Sequence, residues 1–120
     1  MPKLKLSLKP LQASRWEKHE PTGVEFNIAA LSGELDDELT RKNSDLYGNV
    51  QSMAFAHDVA PHIIKGWRGV GSDGVELPVN EQTLKDFVNA HGVTVMPWVI
   101  RRSRSLDHYR EQEIEAAKNA

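Results

Sequence analysis

His57, Asp58 and His62 are the first residues in this chain whose types suggest chemistry. A zinc pair on a helix needs two histidines four apart, so that both imidazoles share a face. These two are five apart, about 140° around a regular helix, and Pro61 stands between them. The spacing therefore argues for a hydrogen-bonded His57 on an apolar helix face and an exposed His62, without a metal. The glycines of "GWRGVGSDGVEL" nearly spell GxGxxG at Gly69-Val70-Gly71-Ser72-Asp73-Gly74. A phosphate loop carries Lys-Ser or Lys-Thr after its last glycine. Here Val75-Glu76 follows, and a carboxylate repels phosphate. No cysteine is present and no serine sits in a GxSxG elbow, so an acyl-transfer nucleophile is not indicated. The expectation is a protein without catalysis and without cofactor.

The remaining polar cluster is "PWVIRRSR". Arg101 and Arg104 fall within one broad face of a helix and Arg102 points elsewhere. Trp98 lies about 100° from Val99 and about 160° from Met96, turned away from the apolar stripe. An outward tryptophan beside arginines is the composition of an interface anchor, so Trp98, Arg101, Arg102 and Arg104 are the candidate partner-binding residues. Burial of Trp98 against the N-terminal strands is the alternative. A nucleic-acid role is disfavoured: net charge is −2, and Glu111, Glu113 and Glu115 follow the arginines closely.

Elements that could position these residues follow from periodicity. The 120 residues argue for a single domain, 1–120, of α+β class. "KLKLSL" and "VEFNIAAL" alternate strictly, so residues 3–30 read as two or three short antiparallel strands with a turn at Pro21-Thr22-Gly23. Ser32 caps an acidic-fronted helix that ends between Asn43 and Gly48. A second helix, capped by Asn49 or restarted at Asp58 with Pro61 in its first turn, carries Val50, Met53, Ala54, Ala60, Ile64 and Trp67 on one side as far as Gly66. A hairpin at about 67–79 turns on Gly71–Gly74, with Trp67 buried where helix and hairpin join. Asn80 caps the next helix and Gly92 stops it. The last helix begins at Thr94 with Pro97 in its first turn and a stripe of Met96, Val99, Ile100, Leu106, Ile114 and Ala117, interrupted by Ser103 and Arg110. No run of about 18 apolar residues is present to span a membrane, and "MPKLKLSLKP" lacks the apolar block of a secretory signal.

The arrangement of Trp67, Gly69, Val70, Asp73, Gly74, Leu77, Pro78 and Asn80 resembles the central motif of the tail assembly chaperones of long-tailed bacteriophages. "TGVEFNIAALSGELDDEL" is similar to their opening strand and acidic helix, and "VMPWVIRRSRSLDHY" to their closing helix, so the likeness touches most of the chain. The arginine cluster and the first strand have no match in it. The resemblance implies a protein of the host cytoplasm that holds the tape-measure protein soluble and helps recruit tail-tube subunits, with self-association possible. It also implies a longer, frameshifted form, and Ala117-Lys118-Asn119 can be encoded by a slippery run of adenines. A small structural tail or connector protein, or a nucleic-acid-binding regulator, are the competing expectations.

Overall fold

The computed structural model describes residues 14–106. The segment "KLKLSL", Arg110, Ile114, Ala117 and the Ala117–Asn119 tail lie outside them. Among the described residues the architecture is α+β: a three-stranded antiparallel sheet in the order β1-β2-β3, with four helices and a two-residue-per-strand hairpin.

Strand β1 (Ser14–His19) turns back at Glu20–Gly23 into β2 (Val24–Ala29), in register from Ser14↔Ala29 to His19↔Val24. The amides of Thr22 and Gly23 both donate to the His19 carbonyl, and this closes the turn. On β2 the period of two puts Phe26 and Ile28 on the face toward the helices, where both are buried. Helix α1 (Gly33–Lys42) starts where expected, with the Leu35 amide donating to Ser32 Oγ at 3.2 Å. Its acidic first turn and basic last turn suit the helix dipole.

Helix α2 (Ser52–Ile63) corrects the expected stripe. It starts beyond Asn49, after Gln51, with no side-chain cap. Its buried residues are Phe55, Ala56, Val59, Ala60 and Ile63, so Val50, Met53 and Ala54 face outward instead. Pro61 falls in the last turn, not the first. There its missing N–H removes one hydrogen bond, and the helix ends two residues later.

The chain does not continue as helix to Gly66. Ile64–Arg68 is strand β3, pairing antiparallel with β2 through Phe26↔Trp67 and, beyond a register shift, Ile28↔Ile64. The expected 67–79 hairpin is accordingly smaller: β4 (Gly71–Ser72) and β5 (Val75–Glu76), joined by Asp73 and Gly74, both at positive φ. Two positive φ values in a two-residue loop match the twist of a hairpin. Trp67 is buried as expected, but on the sheet, and its indole Nε1 donates to the Leu77 carbonyl at 2.7 Å.

Helix α3 (Glu81–His91) has the expected cap. The Thr83 amide donates to Asn80 Oδ1 and the Asn80 amide to Thr83 Oγ1, each at 2.9 Å. Gly92 ends it. Residues 96–106 form α4, one turn of chain later. Phe87 of α3 lies 5.6 Å from Phe26 and 5.4 Å from Trp67, ring centre to ring centre, so the helices close over the inner sheet face. Trp16 is on the other face, beneath the guanidinium of Arg68 at 3.9 Å.

Candidate functional site

The arginine cluster separates by environment. Arg102 uses Nε and Nη2 on one oxygen of Glu17 in β1, at 2.9 and 2.6 Å. Arg104 makes a forked pair with both oxygens of Asp36 in α1, at 2.7 and 2.9 Å. That pairing raises its already high pKa, the Asp36 hydrogen bonds outweighing the cost of partial burial. Arg101 is exposed and, among the described residues, forms no salt bridge. Trp98 is half-buried against the sheet: its ring meets His19 edge-on at 4.9 Å and Phe26 at 6.2 Å.

Ser103, expected to weaken the stripe, is fully buried and strengthens it. Its Oγ donates to the Ala29 carbonyl at 2.6 Å, and the Leu31 amide donates to the Ser103 carbonyl at 3.2 Å. A serine on an apolar stripe is therefore a cross-link between α4 and the end of β2. With Trp98 and Arg102 it makes a seam that fixes α4 on the sheet.

The histidines stay apart. His57 is half-exposed rather than in the core, with Nε2 2.9 Å from Asn89 Oδ1 across the α2–α3 cleft, and His62 is exposed. Asp58 turns to Asn43 at 3.0 Å and Lys42 at 3.2 Å. The Asn43 hydrogen bond, then Lys42, hold its carboxyl below the ordinary range. Among the described residues, no group of three His, Cys, Asp or Glu side chains gathers closely enough to hold a metal. No helix among them is long and apolar enough to cross a membrane.

The unexpected feature lies at the other end of α2. In the loop between α1 and α2, Leu46 is 100% exposed and Tyr47 is 88% exposed. This loop is held from within. Asp45 Oδ1 accepts from the amides of Tyr47 and Asn49 at 2.8 and 2.9 Å, and Ser44 bridges to Val50. Gly48, at φ 82°, supplies the left-handed residue the tight turn needs. The Asn49 amide, then that of Tyr47, hold the Asp45 carboxyl below its ordinary range. Val50, Met53 and Val93 are also exposed nearby. Met53 packs so close to the α3–α4 turn that a Cβ on Gly92 would stand 2.6 Å from its sulfur. Thus five of the seven exposed large apolar side chains among the described residues belong to one end of the molecule.

A groove of ≈ 400 Å³ opens beside this loop, floored by Val50, Phe55, Ala56, Pro97 and Ile100 and rimmed by Arg101 and Arg104. Among the described residues, no carboxylate lines it. Apolar walls with a basic rim suit an apolar segment that carries acidic flanks. Sequence reasoning passed over Leu46 and Tyr47. The available signal was two large apolar residues inside "NSDLYGN", a turn composition that ordinarily excludes them.

Residues 21–119 match the family model described as YdaY prophage protein. The chain belongs to the YdaY prophage protein family. That YdaY span takes in the loop, the groove and α4, and leaves β1, with Glu17 and His19, outside. Membership in this prophage family gives the protein a phage origin; tail assembly is a finer statement than the family's description makes. No curated protein and no solved structure matches the chain.

Proposed function

We propose that this protein is a tail assembly chaperone of a long-tailed phage, which binds the tape-measure protein in the host cytoplasm, keeps it soluble and helps recruit tail-tube subunits, without catalysis. The observation that carries this reading is the loop tip of Leu46 and Tyr47, fixed in solvent beside an apolar groove with an arginine rim. Apolar side chains held outward by a hydrogen-bonded loop meet a partner without the entropy cost of ordering a flexible segment. The phage origin of the family agrees with it. Of the arginine cluster, Arg101 and Arg104 stand at the groove. Arg102 and Trp98 support the interface from behind by holding α4 in place. A nucleic-acid role is weaker, because two of the three arginines are already neutralised by Glu17 and Asp36.

Co-expression with the tape-measure protein encoded by the same phage tests the reading. The tape-measure protein is expected in the soluble fraction, copurifying with the wild-type chain and lost with a Leu46→Asp, Tyr47→Ser double variant. Equal solubility with and without this chain would end the proposal.

A further inference from the structure

We infer that a second copy of this chain covers the exposed end, the Leu46–Tyr47 tip of each copy seated in the Phe55–Pro97–Ile100 groove of the other about a twofold axis. A twofold contact requires one patch that is complementary to itself. This patch has both halves. The tip is apolar and sits next to a carboxylate, Asp45. The groove beside it is apolar, with no carboxylate among the described residues of its lining, and is rimmed by Arg101, which forms no salt bridge among the described residues, and by Arg104, which is paired with Asp36. Val50 belongs to both, since it closes the loop through Ser44 and lines the groove. The tip of one copy thus brings apolar surface and the Asp45 carboxylate to the place where the other offers apolar surface and the Arg101 guanidinium.

Chemistry of the loop supports this. The Asn49 and Tyr47 amides stabilise the charged form of Asp45 and hold its carboxyl below the ordinary range. Those same bonds fix the tip in the geometry in which it would bind, so little order remains to be imposed. An apolar cluster of this kind left in water is an aggregation liability; a closed twofold pair hides it and leaves no open end for further growth. The inference goes beyond tape-measure binding and does not rest on it. A bound client would take the same surface in competition with the second copy.

The chain has no cysteine, so introduced thiols report one contact cleanly. Two single variants, Leu46→Cys and Ile100→Cys, are purified separately, mixed and oxidised mildly. A disulfide forms only where Cα atoms approach within about 7 Å. The expected result is a cross-linked heterodimer in the mixture, at a yield well above that of either variant mixed with Val75→Cys, which lies on the β4–β5 hairpin. Sedimentation velocity of the wild-type chain should show a dimer growing from micromolar to submillimolar concentration, with Leu46→Asp weakening association about tenfold or more. If Leu46→Asp does not fold, Arg101→Glu tests the same contact from the groove side. A mixture that cross-links no better than the Val75→Cys control, or a wild-type chain that stays monomeric throughout, overturns the inference. If that happens while the tape-measure protein still binds, self-pairing alone fails; the converse leaves self-pairing standing and removes the chaperone reading.

Discussion

Two regions that meet at α4 are built in opposite ways. At the seam between α4 and the sheet, polar side chains bond inward: Ser103 to Ala29 and Arg102 to Glu17, with Trp98 laid over His19 and Phe26. At the groove end, internal bonding serves only to hold the backbone of the α1–α2 loop, and the apolar side chains are left outside. The contrast shows that residue type alone does not identify an interface. Arg102, Arg104 and Trp98 have the composition of a binding patch, yet much of their bonding capacity is spent inside the molecule. Leu46 and Tyr47 have the composition of misplaced core.

Perturbing the packed interior should give the largest effect. Trp67→Ala removes a buried ring and its bond to Leu77, and should cost ~3–5 kcal/mol in denaturant unfolding. A loss below ~1 kcal/mol would mean that the sheet does not depend on it. Ser103→Ala, at the seam, should cost about 1–2 kcal/mol, since it removes a buried hydrogen bond and leaves the Ala29 carbonyl poorer by one donor. A neutral result would return Ser103 to the status of an interruption in the stripe.

Acid sharpens the comparison differently. The Asp58 carboxyl, bonded to Asn43 and Lys42, and the Asp45 carboxyl, bonded to the Asn49 and Tyr47 amides, are both held below the ordinary carboxylate range. A depressed carboxylate contributes stability that is fully present above its unfolded pKa and is lost as pH falls through the folded one. The melting temperature should therefore hold down to about pH 4 and decline below it, less steeply for Asp58→Asn. A decline already complete at about pH 5 would point to other groups. The Arg104–Asp36 pair is half in solvent, so Arg104→Gln should cost only about 0.2–1 kcal/mol, less in high salt. Smallest of all should be Leu46→Asp, within about 0.5 kcal/mol of wild type, because its side chain touches nothing it would have to leave.

Local signals carried much of this fold. Ser32, Asn80 and Gly92 mark helix ends through their own backbone bonding, so short-range chemistry is enough to find them. Alternation at Val24, Phe26 and Ile28 identified β2 for the same reason. The errors cluster where distant partners decide. Ile64–Arg68 is a strand only because β2 offers its edge, and nothing within five residues of sequence records that. The α2 stripe moved because Asn49 belongs to the loop, its amide and its carbonyl both bonded to Asp45, and the helix starts only after Gln51. That shift turned Val50 and Met53 out of the expected core and onto the groove end. Arg102 and Arg104 were legible as a basic cluster, while Glu17 and Asp36, 85 and 68 residues away, were not legible as their partners.

The most direct test sets the two ends against each other in one experiment. Calorimetric titration with the soluble fragment of the tape-measure protein that copurifies, and thermal melting, would be run on wild type, Leu46→Asp and Arg102→Gln. Leu46→Asp should weaken binding about tenfold or more with an unchanged melting temperature, and Arg102→Gln should lower the melting temperature while binding stays near wild type. The reverse pattern, binding lost with Arg102 and kept without Leu46, would contradict the assignment of the groove end as the interface and the seam as its support.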